Sequence, residues 1–284
     1  MDKEKESHKP ITLKSIGYGF WGQLFGRFAD AFYDIEITPQ SDEHLERLKA
    51  ELNNRNSAIV YSNHVSADDF FLVLAHLMNR IGSSIREIGI PKAAKYDDLR
   101  TNPGYAVLSR SIASITGVRA VIVASFYERS NYSEEQLGQF REQFDRITRS
   151  LLQTPGGVLY IHPEGTRRGD GQLLRARLGV AKLGEKFADQ LCYLPVGIIP
   201  GSSTGRGLNM RLGNKSGFTL NFGEPFKRTE VQELASHPLT GNKPDYLSAL
   251  MARLGILLPE SMWGHYRPHI EHFQQAGLLP GRIE

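Results

Sequence analysis

Apolar and polar positions follow two periods along this chain, one typical of strands and one typical of helices. The short β-rich runs that predict strands are SAIVYS (57–62), REIGI (86–90), AVIVA (120–124), GVLYIH (157–162) and LCYLPVGII (191–199). The runs that predict helices are FFLVLAHLMNR (70–80), SEEQLGQFREQFDRITRSLL (133–152) and LRARLGVAKLGEKFA (174–188). Because strands and helices alternate, the sequence predicts an α/β fold, with a mostly parallel mixed sheet flanked by helices.

The two ends of the chain extend this pattern. Residues 1–12 are polar and predict a disordered tail, and residues 13–56 predict an N-terminal helical segment that Pro39 breaks. The remainder, 57–284, predicts a single α/β domain. In it, NMRLGN and GFTLNFG resemble an antiparallel hairpin, and helices follow from about residue 228.

Aromatic residues recur at helical spacing within GYGFWGQLFGRFADAFYDIEI (17–37). The apolar residues at three-to-four spacing are Phe20, Trp21, Leu24, Phe25, Phe28 and Phe32. One interpretation is a helix that packs on the core. The other is an interfacial helix or the wall of a substrate channel, since Trp and Phe suit the lipid headgroup boundary. Three glycines weaken the helix and leave both interpretations open.

Composition and charge narrow the classes of partner. The chain has 284 residues, 40% hydrophobic and 23% charged residues, and a net charge of +3. This mild basicity suits an anionic substrate or membrane surface and is too weak to indicate nucleic acid. The single cysteine excludes an internal disulfide framework and a multi-cysteine zinc site.

The start of the chain bears on location. MDKEKESHKP lacks the apolar core of a signal peptide, and no stretch of the sequence approaches the roughly 18 apolar residues that span a bilayer. We therefore expect a cytoplasmic protein, either free or peripheral on the cytoplasmic face of a membrane. The oligomeric state is left open.

The first chemical motif is SNHVSADDFF (62–71), where His64 precedes Asp69 by five residues. Ser66 and Asp69 also form the capping-box pattern that begins a helix. Residues five apart in one helix do not face each other, so His64 would have to lie in the loop and fold back onto Asp69. If it does, Asp69 fixes the tautomer and the other ring nitrogen takes a proton from a hydroxyl. If it does not, Asp69 only accepts the Ser66 amide.

The second motif, YIHPEGTRRGDGQLL (160–174), follows a predicted strand. Ligands of parallel α/β sheets bind beyond the carboxyl ends of the strands, where both motifs fall. Gly165 permits close backbone approach, Thr166 offers a hydroxyl, and arginines bind phosphate oxygens with paired donors. A solvated charged turn is the alternative.

Together the motifs resemble the glycerolipid acyltransferase family, which includes the lysophosphatidate and glycerol-3-phosphate acyltransferases. The similarity covers roughly residues 57–226, through NHVSADD, FYERSN (126–131), HPEGTRRGDG, LPVGI (194–198) and FGEP (222–225), in that order. His162 is a departure, since an aromatic or aliphatic residue is more usual there. The arginine in RARLG (175–179) is another, because a lysine before glycine is frequent.

The resemblance implies a role for each matching residue. His64 would be the general base and Asp69 its orienting partner. Arg129 would help to bind the glycerol-phosphate group, and Glu164, Gly165, Thr166 and Arg167 would form the rest of that acceptor site. No metal and no cofactor are implied. The co-substrate would be acyl-CoA or an acyl carrier protein.

The implied activity is an O-acyltransferase that moves a fatty acyl group from a thioester to a glycerolipid acceptor carrying phosphate. The first candidate acceptor is 1-acyl-glycerol 3-phosphate. A thioester hydrolase and a non-catalytic lysolipid-binding protein of the same fold are the alternatives. GSSTG (201–205) matches G-x-S-x-G around Ser203, but RGLNMRLGN after it does not predict the helix of a nucleophile elbow.

Overall fold

In the computed structural model, the described part of the chain comprises residues 17–93, 110, 116–124, 126–168, 170–187, 190–202, 204, 215–241 and 243–280. The strands are β1 (Tyr33–Ile37), β2 (Ser57–Ser62), β3 (Glu87–Ala93), β4 (Arg119–Val123), β5 (Gly157–Ile161), β6 (Leu191–Pro200), β7 (Ser216–Phe222) and β8 (Phe226–Lys227). The helices are α1 (Tyr18–Phe32), α2 (Gln40–Asn53), α3 (Asp69–Ile81), α4 (Glu134–Gln153), α5 (Gly179–Lys186), α6 (Arg228–Ala235), α7 (Tyr246–Gly255) and α8 (Arg267–Gln275).

The strands form one sheet in the order β1-β7-β6-β2-β5-β3-β4, with β8 beside β6. Neighbouring strands are parallel except where β6 meets β7 and β8. The predicted mostly parallel mixed sheet flanked by helices is therefore confirmed. β2 lies between β5 and β6, so its carboxyl end opens at the middle of the sheet.

The central strand is buried on both faces. Every residue of β2 is buried. Ala58 and Val60 belong to the core cluster that contains α2 and α3, whereas Ile59 and Tyr61 belong to the cluster that contains α7 and α8. Continuous burial of this kind is expected for a parallel strand covered by helices on both sides.

The N-terminal segment contains a strand that the sequence analysis missed. The predicted helix is confirmed over Tyr18–Phe32 and Gln40–Asn53. The prediction is wrong over Tyr33–Ile37, which is strand β1 and pairs in parallel with β7. The sequence YDIEI alternates apolar and polar residues, which is the period of a strand with one buried face. The prediction of a helix through these five residues overlooked this change of period.

Helix α1 divides its aromatic residues between the core and the surface. Trp21 and Ala29 are buried. Gly22 faces α3 so closely that a Cβ there would lie 2.2 Å from the backbone nitrogen of Asn79. The outer side carries the stripe of Phe20, Leu24 and Phe28, which are 55%, 48% and 42% exposed. Packing on the core is therefore confirmed for one side of the helix, and the other side carries an exposed apolar stripe.

The helix predicted over 174–188 begins five residues late, at Gly179. Its expected first turn is extended because the backbone N–H groups bind elsewhere. Those of Leu174, Ala176 and Arg177 donate to the Glu164 carboxylate, the Tyr266 hydroxyl and the Pro163 carbonyl. Side chains and carbonyls from outside the segment have thus replaced the hydrogen bonds of a helical turn.

The remaining predicted elements occur close to their expected bounds. The capping box of Ser133 and Gln136 at the start of α4 is present in both directions. The second strand of the predicted hairpin is β7, whereas the first, at 209–214, lies outside the described residues. So do the predicted disordered tail (1–12) and Ser203.

Candidate active site

Two loops meet at the carboxyl edge of the sheet, one after β2 and one after the neighbouring β5. Their backbones are joined at His64. The His64 N–H donates to Glu164 Oε1 at 3.0 Å, and the His64 carbonyl accepts the Arg168 N–H at 2.9 Å. Because both backbone groups of His64 are engaged, the second loop sets the position of the first.

His64 and Asp69 are paired. Nδ1 of His64 lies 2.8 Å from Oδ2 of Asp69, whose side chain is fully buried, while 21% of the His64 side chain remains exposed. Asp69 is the first residue of α3, and His64 lies in the loop before it. The folded-back geometry that the five-residue spacing requires is therefore present.

Asp69 also accepts the Ser66 amide, as the alternative interpretation expected, but the N-cap of α3 is Asp68 and not Ser66. The Asp69 carboxylate accepts the N–H of Val65 at 2.7 Å, the N–H of Ser66 at 3.1 Å and the Ser66 hydroxyl at 2.7 Å. The two interpretations are not exclusive, because one carboxylate holds the loop and the imidazole at once. Three donors from the loop also favour its ionised form.

These contacts fix the tautomer of His64. An ionised Asp69 accepts from Nδ1–H, which leaves the lone pair on Nε2. Burial and the nearby Arg167 guanidinium lower the pKa of His64, and the Asp69 carboxylate opposes that shift. Burial raises the pKa of Asp69, against its hydrogen bonds from Ser66 and Val65. At neutral pH the imidazole is neutral and able to accept a proton.

Glu164 is buried, and both of its oxygens accept backbone amides. Oε1 takes the His64 N–H at 3.0 Å, and Oε2 takes the Leu174 N–H at 2.6 Å. Burial raises the pKa of this carboxyl group to about 8, and the two amides act in the opposite direction. Glu164, which the resemblance assigned to the acceptor site, thus joins the His64 loop to the segment after the second motif.

The rest of the second motif turns back at Gly165. Its φ is +67°, which is in the left-handed region, and its N–H donates to the His162 carbonyl at 3.1 Å. Gly165 is exposed, and Thr166 and Arg167 are partly exposed. After burial, the Arg167 guanidinium is the second cause that lowers the pKa of His64.

Arg129 lies further along the same edge. It is exposed in the 3₁₀ turn Phe126–Asn131, after β4. Strands β2, β5, β3 and β4 are consecutive and parallel, so their carboxyl ends share one edge. By ordinary strand spacing, three steps from β2 to β4 amount to roughly 14 Å. The structure therefore joins His64, Asp69 and Glu164 by direct contacts and leaves Arg129 several strands away.

Sequence reasoning missed two residues that hold the first loop. The Asn63 side chain donates to the Ile198 carbonyl and accepts the Ile198 N–H, both at 2.8 Å, as a further rung of the β2–β6 ladder. The His162 ring stacks on His64 with 3.9 Å between centroids and 7° between planes, and its Nδ1 lies 3.1 Å from Ser62 Oγ. The unusual histidine before PEGT was the one signal that pointed to the second contact.

A nitrogen or oxygen of each of His64, Asp69 and His162 lies within 4.8 Å of the others, as in a metal site. An imidazole lone pair lies in the plane of its ring. Two rings stacked in nearly parallel planes therefore cannot direct their lone pairs at one ion. The arrangement is a hydrogen-bonded His–Asp pair with a stacked imidazole neighbour.

Fold and site together define an α/β protein with a buried His–Asp pair at the carboxyl edge of its sheet. The sequence model of the family described as Acyltransferase matches residues 40–200, more than half of the chain. The chain belongs to the acyltransferase family. This confirms the expected resemblance at that level.

Two further comparisons were made. No curated protein sequence matches the chain. Among solved structures, the chain is similar to the crystal structure of the 1-acyl-sn-glycerophosphate (LPA) acyltransferase PlsC from Thermotoga maritima. The TM-score is 0.42 at 16% identity, over 74% of this chain and 70% of that one.

Proposed function

We propose that this acyltransferase moves a fatty acyl group from an acyl thioester to the hydroxyl of a glycerolipid acceptor that carries phosphate. The acyl donor is acyl-CoA or an acyl carrier protein, and the first candidate acceptor is 1-acyl-glycerol 3-phosphate. The observation that carries this proposal is the contact of 2.8 Å between His64 Nδ1 and Asp69 Oδ2, which leaves Nε2 to act as the base.

The reaction would be a single displacement. Nε2 of His64 takes the proton of the acceptor hydroxyl as its oxygen attacks the thioester carbonyl carbon. The tetrahedral intermediate collapses, the carbon–sulfur bond breaks, and the thiolate leaves with the proton that the imidazolium returns. Asp69 stabilises the imidazolium between these two transfers. An ester and a free thiol are formed, and no electrons are exchanged with another reactant.

Within this mechanism the residues of the two loops have separate roles. Gly165, Thr166 and Arg167 would bind the acceptor phosphate, and Arg129 would reach it from the same edge of the sheet. The cation at Arg167 suits this role because guanidinium binds phosphate oxygens with paired donors. Glu164 would act as a positioning residue, since both of its oxygens accept backbone amides.

We also propose that the protein works against the cytoplasmic face of a membrane as a peripheral protein. Within the described residues, no helix combines the length and the apolar character that crossing a bilayer requires. The stripe of Phe20, Leu24 and Phe28 on α1 is exposed, and Arg27 beside it is exposed as well. Aromatic side chains next to a cation favour an anionic lipid surface.

The test is incubation of the full chain with a labelled acyl thioester and a panel of lysolipids, followed by mass spectrometry. Acylated product from a phosphate-bearing acceptor, lost by about 10²–10⁴-fold in His64→Gln, is the expected result. His237→Gln, at an exposed histidine outside the site, is the matched control. Free fatty acid without acceptor would instead identify a hydrolase. Lipid binding without any product would identify a non-catalytic protein.

A further inference from the structure

A second cationic feature lies beside the candidate active site. It is a cleft of about 470 Å³ between residues 168 and 172–175, at the end of the second motif, and the turn before α8. The polar side chains that line it are Arg168, Gln172, Arg175, Ser261, His265 and Arg267. None of the lining residues is acidic. No role in the reaction proposed above has been assigned to this cleft.

The charges of the cleft are held in place but are only partly neutralised. Arg168 pairs with Asp170 at 2.8 Å, and Arg267 pairs with Glu260 and donates to its backbone carbonyl. Arg175 is exposed and has no ion pair within the described part of the chain. Arg168 and Arg267 are thus paired with carboxylates, Arg267 also with Glu271. Arg175 leaves an uncompensated positive charge on a concave surface among the described residues, which favours an anion.

The walls of the cleft are joined by the backbone. The Leu173 N–H donates to the Met262 carbonyl, and the His265 N–H donates to the Leu173 carbonyl, both at 2.9 Å. Gly264 permits this approach: its φ is +47°, and a Cβ there would lie 2.4 Å from the Leu173 oxygen. The cleft is therefore formed before any ligand arrives, which lowers the entropic cost of binding.

One wall of the cleft is also part of the active site. The backbone N–H of Arg168 donates to the His64 carbonyl, and the N–H of Leu174 donates to Glu164 Oε2. The residues that line the cleft are thus joined by hydrogen bonds to the loop that carries the base. A ligand fixed in the cleft lies against the same backbone that positions His64.

We propose that the cleft binds a phosphoryl group of one of the two substrates, together with the polar moiety attached to it. This inference rests on the proposed function. Paired guanidinium donors match phosphate oxygens, and about 470 Å³ lies within the range of small-molecule sites and exceeds what one phosphate needs. Both a thioester donor of the coenzyme A type and a glycerol-phosphate acceptor carry such a group, so the two must be distinguished by experiment.

The experiment is calorimetric titration of the full chain with coenzyme A and, separately, with glycerol 3-phosphate. Arg175→Gln removes one exposed guanidinium without breaking an ion pair among the described residues. Arg149→Gln, at an exposed position on α4, is the matched control. Binding of one of the two ligands should weaken by about tenfold in Arg175→Gln and stay unchanged in the control.

Each outcome has a separate meaning. A loss confined to coenzyme A assigns the cleft to the donor. A loss confined to glycerol 3-phosphate assigns the cleft to the acceptor, in place of the phosphate site proposed at Gly165, Thr166 and Arg167. Unchanged binding of both ligands overturns the proposal, even if acyl transfer is observed. Because titration needs no turnover, binding that depends on Arg175 in a chain without transferase activity would refute the proposed function and leave the cleft assignment standing.

Discussion

The imidazole rings of His64 and His162 are stacked, with 3.9 Å between their centroids and 7° between their planes. One ring belongs to the acid–base pair, and the other hydrogen-bonds Ser62 at the end of the central strand. Burial, and then the neighbouring imidazole, lower the pKa of His162 to about 3. The stack therefore holds the His64 ring against a second neutral ring. Because folding keeps the rings neutral, the free energy of unfolding is lower at acidic pH.

This loss of stability can be measured by unfolding the protein at two pH values. The unfolded chain binds protons at these histidines near pH 6.5 and the folded chain does not, so the free energy of unfolding falls as the pH falls below 6.5. In His162→Phe the ring contact remains but one such histidine is gone. Between pH 6.5 and 5, we expect the free energy of unfolding of this variant to fall by about 1.5 kcal/mol less than that of the wild type. Urea unfolding at both pH values measures this, and equal losses would contradict it.

Replacing Arg167 should move the pH dependence of activity. The guanidinium disfavours the imidazolium of His64, so Arg167→Gln should raise the pKa of His64. The acidic limb of the profile of kcat/KM against pH would then shift to higher pH, because the base is protonated sooner. Arg167→Lys keeps the charge and should keep the limb. A limb that does not move in Arg167→Gln would show that the charge has no influence on the base.

Asp69→Asn should separate the orientation of the base from the structure of the loop. Asparagine offers one acceptor where the carboxylate offers two, and it cannot stabilise an imidazolium by charge. We expect kcat to fall by about 10²–10⁴-fold, as for loss of a general base. Ser66→Ala is the control: it removes a hydroxyl donor to Asp69 and leaves the His64 contact. It should lower stability by about 1 kcal/mol and change kcat little.

Glu164→Gln tests whether this carboxylate positions the loop or binds the acceptor. The glutamine amide would face a backbone N–H with a donor instead of an acceptor. The free energy of unfolding should therefore fall by about 1–3 kcal/mol, and kcat should fall as the His64 loop loosens. Glu142→Gln, exposed on α4, is the matched control. Unchanged stability with a raised KM for the acceptor would favour direct binding instead.

The stripe on α1 can be tested by vesicle flotation. We expect the triple variant Phe20→Gln, Leu24→Gln, Phe28→Gln to leave vesicles that contain phosphatidylglycerol, while the wild type floats with them. Leu178→Gln with Leu239→Gln changes two exposed leucines elsewhere and should float like the wild type. Deletion of residues 1–33 would be a poor test, because it removes the buried Trp21 and Ala29 as well. Flotation of the triple variant would rule out the stripe as the contact.

The period of the apolar residues was sufficient to predict most of the sheet. The strand Tyr33–Ile37 was missed because it follows a helix without a break at Gly or Pro, and only its alternation marks it. The late start of α5 could not be read from local sequence, since the groups that take its backbone N–H bonds lie as far away as Tyr266.

The sequence predicted only the part of the site that depends on contacts between residues close together in the chain. The spacing and the capping pattern, both local, left the His64–Asp69 pair as one of two interpretations, and the family resemblance implied it. The role of Glu164 could not be predicted in this way, because it depends on two backbone amides that are distant in sequence. One belongs to His64, 100 residues before Glu164, and the other to Leu174, 10 residues after it. The contact of Asn63 could not be predicted either, since its partner Ile198 is 135 residues further along the chain.

The close packing of α1 on α3 relates the stripe to the chemistry. Gly22 lies beside Asn79, whereas the ring of Phe28 lies 5.8 Å from that of Phe71, so the two helices run in opposite directions. Helix α3 has 13 residues, about 20 Å, and starts at Asp69. One end of the stripe therefore lies on the same side as Asp69, and the other lies about 20 Å away along α3. If the stripe contacts a membrane as proposed, the Phe28 end would be the part of that contact nearest to Asp69.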